Sequence, residues 1–116
     1  MATDLAKVAK ERKIKYFLIS YTDLFGVLRA KLAPAAAIAG MQRDGAGFAG
    51  FATWLDMTPA HPDLFAKPDP ESLIQFPWKP EVGWLASDPA YAGPPLFLFS
   101  CLVFFRSVSW AASLIA

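Results

Sequence analysis

IKYFLISYTDLFGVLRAKL, residues 14–32, is the stretch whose reading decides the fold. It reads as two strands joined by a short turn. Ile14, Tyr16, Leu18 and Ser20 fall on one side of a pleat, and Lys15, Phe17, Ile19 and Tyr21 on the other. The aromatic and β-branched content favours strand over helix. Thr22-Asp23 opens a turn, and Gly26 can supply the positive φ that closes it. The second strand alternates Val27, Arg29 and Lys31 against Leu28, Ala30 and Leu32. One of its sides is cationic and the other apolar, so that half of the hairpin should be wet on one face. An isolated hairpin is marginal in water, and the rest of the chain is expected to supply a helix and further strands that cover the apolar face.

Upstream, residues 3–12 fit a short surface helix. Thr3 or Asp4 can cap it, Leu5, Val8 and Ala9 form a narrow apolar stripe, and Lys7, Lys10, Arg12 and Lys13 cluster late, where a helix end favours cations. The charges suit a solvated face, or else a basic face for a partner. Downstream, Pro34 can start a helix over APAAAIAGMQRDG, with Ile38 and Met41 on its buried side and Asp44-Gly45 ending it. Strand, turn, strand, helix is the first half of a β-grasp arrangement, although periodicity alone does not select that fold.

DGAGFAGFATWLDMTPAHPD, residues 44–63, is a long connection. Gly45, Gly47 and Gly50 alternate with small and aromatic residues. No Lys-Ser/Thr follows, so the run is not a phosphate-binding loop. Phe48, Phe51 and Trp54 are expected to pack the loop down; alternatively the loop reaches toward a substrate or a neighbouring subunit. His61, between Ala60 and Pro62, reads as an ordinary loop histidine. Short strands follow at Leu64–Ala66, Leu73–Phe76 and Gly83–Ala86, with Pro70-Glu71-Ser72 as a turn. Prolines 68, 70, 77 and 80 should confine these strands to edges or ends. Trp78 and Trp84 suit core or interface positions better than a cofactor box.

The chain of 116 residues has room for one ordinary domain. Its formal charge of +1 argues against a nucleic-acid binder. One cysteine and one histidine exclude a disulfide framework and a Cys- or His-based metal cluster. The charged start carries no secretory signal, so a cytoplasmic location is expected. Charge is distributed unevenly: from Pro89 to Ala116 the only charged residue is Arg106. The expected organisation is therefore a helix at 1–13, an α+β domain at 14–88 and an apolar tail, irregular or helical, at 89–116.

Residues 14–88 resemble the N-terminal β-grasp domain (a ubiquitin-like roll) of glutamine synthetase, glutamate–ammonia ligase, in its type III or glutamine-synthetase-like bacterial variant. The opening hairpin matches through Ile14, Lys15, Tyr16, Tyr21, Thr22, Asp23 and Gly26. DGAGFAGF sits where the family carries an Asp-Gly-Ser-Ser loop, and DLFAKPDPESL, residues 63–73, matches a third family stretch. The resemblance implies a mixed sheet with a crossing helix. It also implies that Asp44 reaches across a subunit interface to bind ammonium and prepare it for attack on γ-glutamyl phosphate. A carboxylate in a water-poor pocket can stabilise a cation and accept its proton. Gly45, Gly47 and Gly50 would support that loop. Ala46 and Gly47 replace the two serines, leaving open a modified loop or another amine substrate.

In the family, ATP and Mg²⁺ or Mn²⁺ are held by a much larger catalytic domain, and residues 1–88 offer no set of cationic and metal-binding groups for phosphoryl transfer. The resemblance therefore implies an N-terminal fragment of a ligase of nitrogen metabolism, inactive alone, with no cofactor of its own. Its partners would be neighbouring glutamine synthetase subunits, not nucleic acid or membrane. Two other readings remain: a stand-alone β-grasp interaction module and a tail-anchored membrane protein. In the tail, a truncated or frame-shifted end competes with a membrane segment over 96–116 and a buried strand or helix; Cys101 there reads as an inert thiol. The resemblance is expected to end near Asp88.

Overall fold

The computed structural model describes residues 3–23, 25–53 and 57–90. Of the expected tail, Pro89 and Ala90 belong to the last strand, and residues 91–116, Cys101 among them, lie outside the described residues, as does Trp54. The elements in chain order are α1 (Leu5–Glu11), β1 (Tyr16–Thr22), β2 (Leu28–Pro34), α2 (Ile38–Asp44), β3 (Ala46–Phe48), β4 (Leu64–Pro68), β5 (Ile74–Phe76) and β6 (Lys79–Ala90). Single 3₁₀ turns precede α2 and follow β3 and β4. The fold is α+β. Its mixed six-stranded sheet has the order β2-β1-β6-β4-β3, with β5 paired to β6. β1 and β2 are antiparallel, and β1 and β6 run parallel at its centre. This is the β-grasp type of arrangement expected from the sequence.

The hairpin forms where expected, and Gly26 has a φ of 77°. Its two sides are not used as the alternation suggests. Phe17, Ile19 and Tyr21 are buried, so that side of β1 is the core side. Register then leaves β2 no freedom: Phe17 faces Ala33, Ile19 faces Lys31 and Tyr21 faces Arg29. The cations therefore share the core side. The apolar side of β2 is left outside, with Leu28 53% and Leu32 56% exposed. The expected cover over that face is not provided by the described helices.

The core side is closed by Leu5 and Ala9 of α1, Ile14, Ala33, Ile38 of α2, Ala46 and Leu85 of β6. Asp4 caps α1 by accepting from the Ala6 and Lys7 amides at 2.9 and 3.3 Å. Gln42 joins the two helices: its Oε1 accepts from the Leu5 amide at 3.1 Å, and its Nε2 donates to the Thr3 carbonyl at 2.7 Å. Pro34 is the last residue of β2 rather than the first of a helix, and the chain turns through 35–37 before α2 begins. A Cβ on Gly83 would lie 2.8 Å from Leu73 Cδ1 and 3.3 Å from Ile14 and Phe17 side-chain carbons. The close packing of β6 under the core depends on its absence.

β6 corrects the expected short edge strand at Gly83–Ala86. It has 12 residues and lies centrally. β1 pairs only with Val82 to Ala86, so Pro80 lies outside that ladder, and Pro89 is paired instead with Ala66 of β4. Two buried serines lock this junction: Ser20 Oγ donates to the Leu85 carbonyl at 3.1 Å, and Ser87 Oγ to the Ser20 carbonyl at 2.8 Å.

Candidate functional site

Asp44 is the last residue of α2 and opens the turn into β3. Its side chain is 60% exposed. Arg43 approaches it with Nη2 at 2.7 Å from Oδ2 and Nε at 3.0 and 3.1 Å from the two oxygens. The Arg43 hydrogen bonds hold the carboxyl below its ordinary value, against partial desolvation and with help from the Arg43 and Lys67 charges. The carboxylate is thus ionised, oriented and turned to the surface.

The next residue fixes that geometry. Gly45 has a φ of 93°, and its amide donates to the Met41 carbonyl at 2.8 Å, closing the helix. A side chain here would be strained by the backbone and would also meet Phe65 Cβ at 3.0 Å. A Cβ on Gly47 would lie 3.3 Å from Asp63 Oδ2, and one on Gly50 would collide with the side chain of Met57. All three glycines therefore sit where β3 and the following turn run close to other parts of the chain.

The cationic side of β2 reaches this turn. Lys31 Nζ donates to the Gly47 carbonyl and stands 5.4 Å from the centre of the Phe48 ring. Phe48 in turn meets Tyr21 edge-on, with ring centres 4.9 Å apart. These contacts tie β3 to the hairpin. Burial raises the Tyr21 hydroxyl above its ordinary value; Arg29 opposes the shift and Asp23 adds to it. Neither Lys31 nor Arg43 was singled out from sequence. Arg43 stands beside Asp44, but adjacency gives no geometry, and Lys31 looked like a solvated strand position until register placed it.

The other singled-out residues lie elsewhere. His61 Nδ1 accepts from the Thr58 amide at 2.9 Å and lies 3.0 Å from Thr58 Oγ1, an exposed turn cap consistent with an ordinary loop histidine. Phe48 is half-buried against the core, but Phe51 is 49% exposed and does not pack down. Trp78 is 79% exposed and stacks on Phe76 with ring centres 4.9 Å apart, so it is not a core residue. Among the described residues there is no group of three or more His, Cys, Asp or Glu side chains that could hold a metal ion.

No protein-family model matches the chain. Over 112 residues, 97% of this chain and 26% of the relative, it is 61% identical to the glutamine synthetase of Rhizobium leguminosarum bv. phaseoli. Over 88 residues, 76% of this chain and 20% of the relative, it is 66% identical to the glutamine synthetase of Rhizobium meliloti strain 1021. The fold matches a solved complex of GmaS with ADP at a TM-score of 0.77 and 67% identity, covering 80% of this chain and 22% of that one. The chain carries an N-terminal domain of the glutamine synthetase family.

The glutamine synthetase likeness is also local in a useful sense: the chain spans 20–26% of the length of the two Rhizobium relatives. GmaS without ligand matches equally well, with a TM-score of 0.78 at 66% identity over 81% of this chain and 22% of that one. The glutamate–methylamine ligase of Methyloversatilis universalis is 39% identical over 88 residues, 74% of this chain and 20% of the relative. With 112 of the 116 residues aligned, the likeness to the R. leguminosarum glutamine synthetase runs past Asp88, where the resemblance was expected to end. Among the described residues no helix is long and apolar enough to cross a membrane.

Proposed function

We propose that this chain supplies the amine-side wall of a glutamine-synthetase-family ligase pocket in the cytoplasm, and that Asp44 is the residue that meets the amine. The observation that carries this reading is the conformation of the α2–β3 turn. It projects an ionised carboxylate to solvent from a rigid, glycine-determined corner, in a fold 67% identical to GmaS. Nothing within the described residues encloses that carboxylate. An enclosing wall contributed by a neighbouring subunit would supply the dry environment in which a carboxylate binds an ammonium ion and takes a proton from it. Nucleotide and Mg²⁺ or Mn²⁺ belong to the remainder of the full-length family; the described residues do not fit a metal, and no step through either is assigned to them. The amine is ammonia or methylamine, the latter favoured by the GmaS matches and the methylamine ligase relative.

The test is a chimera in which residues 1–88 replace the corresponding part of the R. leguminosarum glutamine synthetase. ATP- and glutamate-dependent phosphate release is then measured with ammonium and with methylamine. The chimera should be active with at least one amine, Asp44→Asn should raise KM for that amine far more than KM for ATP, and the 116-residue chain alone should be inactive. An unaltered amine KM in the Asp44→Asn chimera, or phosphate release by the chain alone, would overturn the proposal.

A further inference from the structure

Asp44 already carries a cation. A carboxylate offers about four acceptor positions. Arg43 fills three of them: its Nε donates to Oδ1 at 3.0 Å and to Oδ2 at 3.1 Å, and its Nη2 donates to Oδ2 at 2.7 Å. Arg43 belongs to the last turn of α2, where a positive charge suits the helix end with or without a carboxylate beside it. Its side chain is 76% exposed, and among the described residues its hydrogen bonds go to Asp44 alone. An exposed pair of this kind is weak and separable, so the guanidinium can leave the carboxylate without disturbing the fold.

We infer that Arg43 is a displaceable counter-ion that competes with the amine for Asp44 and so sets the amine affinity of the site. The inference rests on the reading of Asp44 as the residue that meets the amine. An ammonium or alkylammonium ion seeks the same two oxygens, with the same charge and the same kind of N–H donor. It must take the positions that Arg43 holds, or crowd onto the one left open beside a fixed positive charge. The Lys67 charge acts on the carboxylate in the same sense as Arg43. A neutral ligand cannot replace the charge that Arg43 withdraws, so the exchange admits a cation and disfavours an uncharged amine. Before the amine arrives, the guanidinium keeps the carboxylate ionised and hydrogen-bonded. Arg43 acts through Asp44 and is a positioning residue, not a catalytic one.

The experiment uses the chimera with the R. leguminosarum glutamine synthetase and measures KM for the amine, ATP and glutamate. Arg43→Gln should lower the amine KM about two- to fivefold, the range that an exposed ion pair can withhold, with the KM values for ATP and glutamate unmoved. Arg43→Lys keeps the charge but loses the planar fork, and should fall between parent and Arg43→Gln. In an Asp44→Asn background, Arg43→Gln should bring no gain. An amine KM that stays or rises in Arg43→Gln, a gain that survives in Asp44→Asn, or a parallel change in all three KM values overturns the inference. If Asp44→Asn alone leaves the amine KM unaltered, the reading of Asp44 fails and the counter-ion role falls with it. If Asp44→Asn raises that KM and Arg43→Gln does not lower it, only the counter-ion role fails. Carboxyl NMR of the 116-residue chain gives a second readout that needs no assembled enzyme. There Arg43→Gln should raise the titration midpoint of Asp44 toward the ordinary carboxylate range and leave that of Asp23 in place. An unmoved Asp44 midpoint overturns the inference whatever the chimera does.

Discussion

Two aspartates, each followed within three residues by a glycine at positive φ, do opposite work in this domain. Asp23 stands at the tip of the β1–β2 hairpin with its side chain fully buried. It accepts from the Phe25 and Val27 amides and from Arg29 Nε, each at 2.9 Å. Burial pushes its carboxyl up, but the two amides and the Arg29 side chain outweigh that, and the net shift is downward. Asp44 has the same lowered direction from a different cause, an exposed pairing with its neighbour Arg43. One carboxylate is consumed in holding a turn. The other is held by a turn and left facing outward. A carboxylate whose oxygens accept from the amides of its own turn is a structural part, whereas one paired only with an exposed neighbouring side chain stays open to solvent.

The comparison can be broken most forcefully at the hairpin's core side. Phe17→Ala should destabilise the domain by about 3–5 kcal/mol in denaturant unfolding, because Phe17 is fully buried in the core cluster with Leu5 and Ala9 of α1, beside its strand partner Gly83. Asp23→Asn should cost less than this but should change the pH dependence. The folded pKa is depressed, so the stability Asp23 contributes is present above its unfolded value near 3.8 and is lost as pH falls through the lower folded value. Thermal unfolding should therefore show the Asp23→Asn defect at pH 7 and a converging parent and variant in strongly acidic solution. A defect of constant size at both pH values would remove Asp23's structural role.

Gly45→Ala should destabilise by more than about 1 kcal/mol, since the backbone conformation resists a Cβ and Phe65 stands in its way. Lys31→Met should cost about 0.5–1 kcal/mol, and amide hydrogen exchange should rise locally at Gly47 and Phe48 while β1 stays protected. At the small end, Asp44→Asn should lower the melting temperature only slightly at pH 7, because its partner is an exposed neighbour in sequence, and that small difference should fade as pH falls through the lowered folded value. A large loss of stability on Asp44→Asn would erase the contrast with Asp23.

Residue order by itself determined a good deal. Alternation and turn chemistry gave the hairpin, Gly26, the end of α2 at Asp44-Gly45 and the single turn at Pro70–Ser72, since these depend on the φ and hydrogen-bonding preferences of a few neighbouring residues. Motif order gave the family. Tertiary structure alone decided which side of β2 is covered. Both sides of Val27–Leu32 look plausible locally, and only the pairing of β1 with β2 and β6 assigns the cations to the core side. It also decided that β6 is one long central strand despite its prolines, because what matters is which residues pair, not which are present. The environments of the two aspartates were equally hidden. Asp23 is buried by a hydrogen-bond network that closes only when the hairpin does, and Lys31 meets Gly47 only because the fold brings β2 and β3 together.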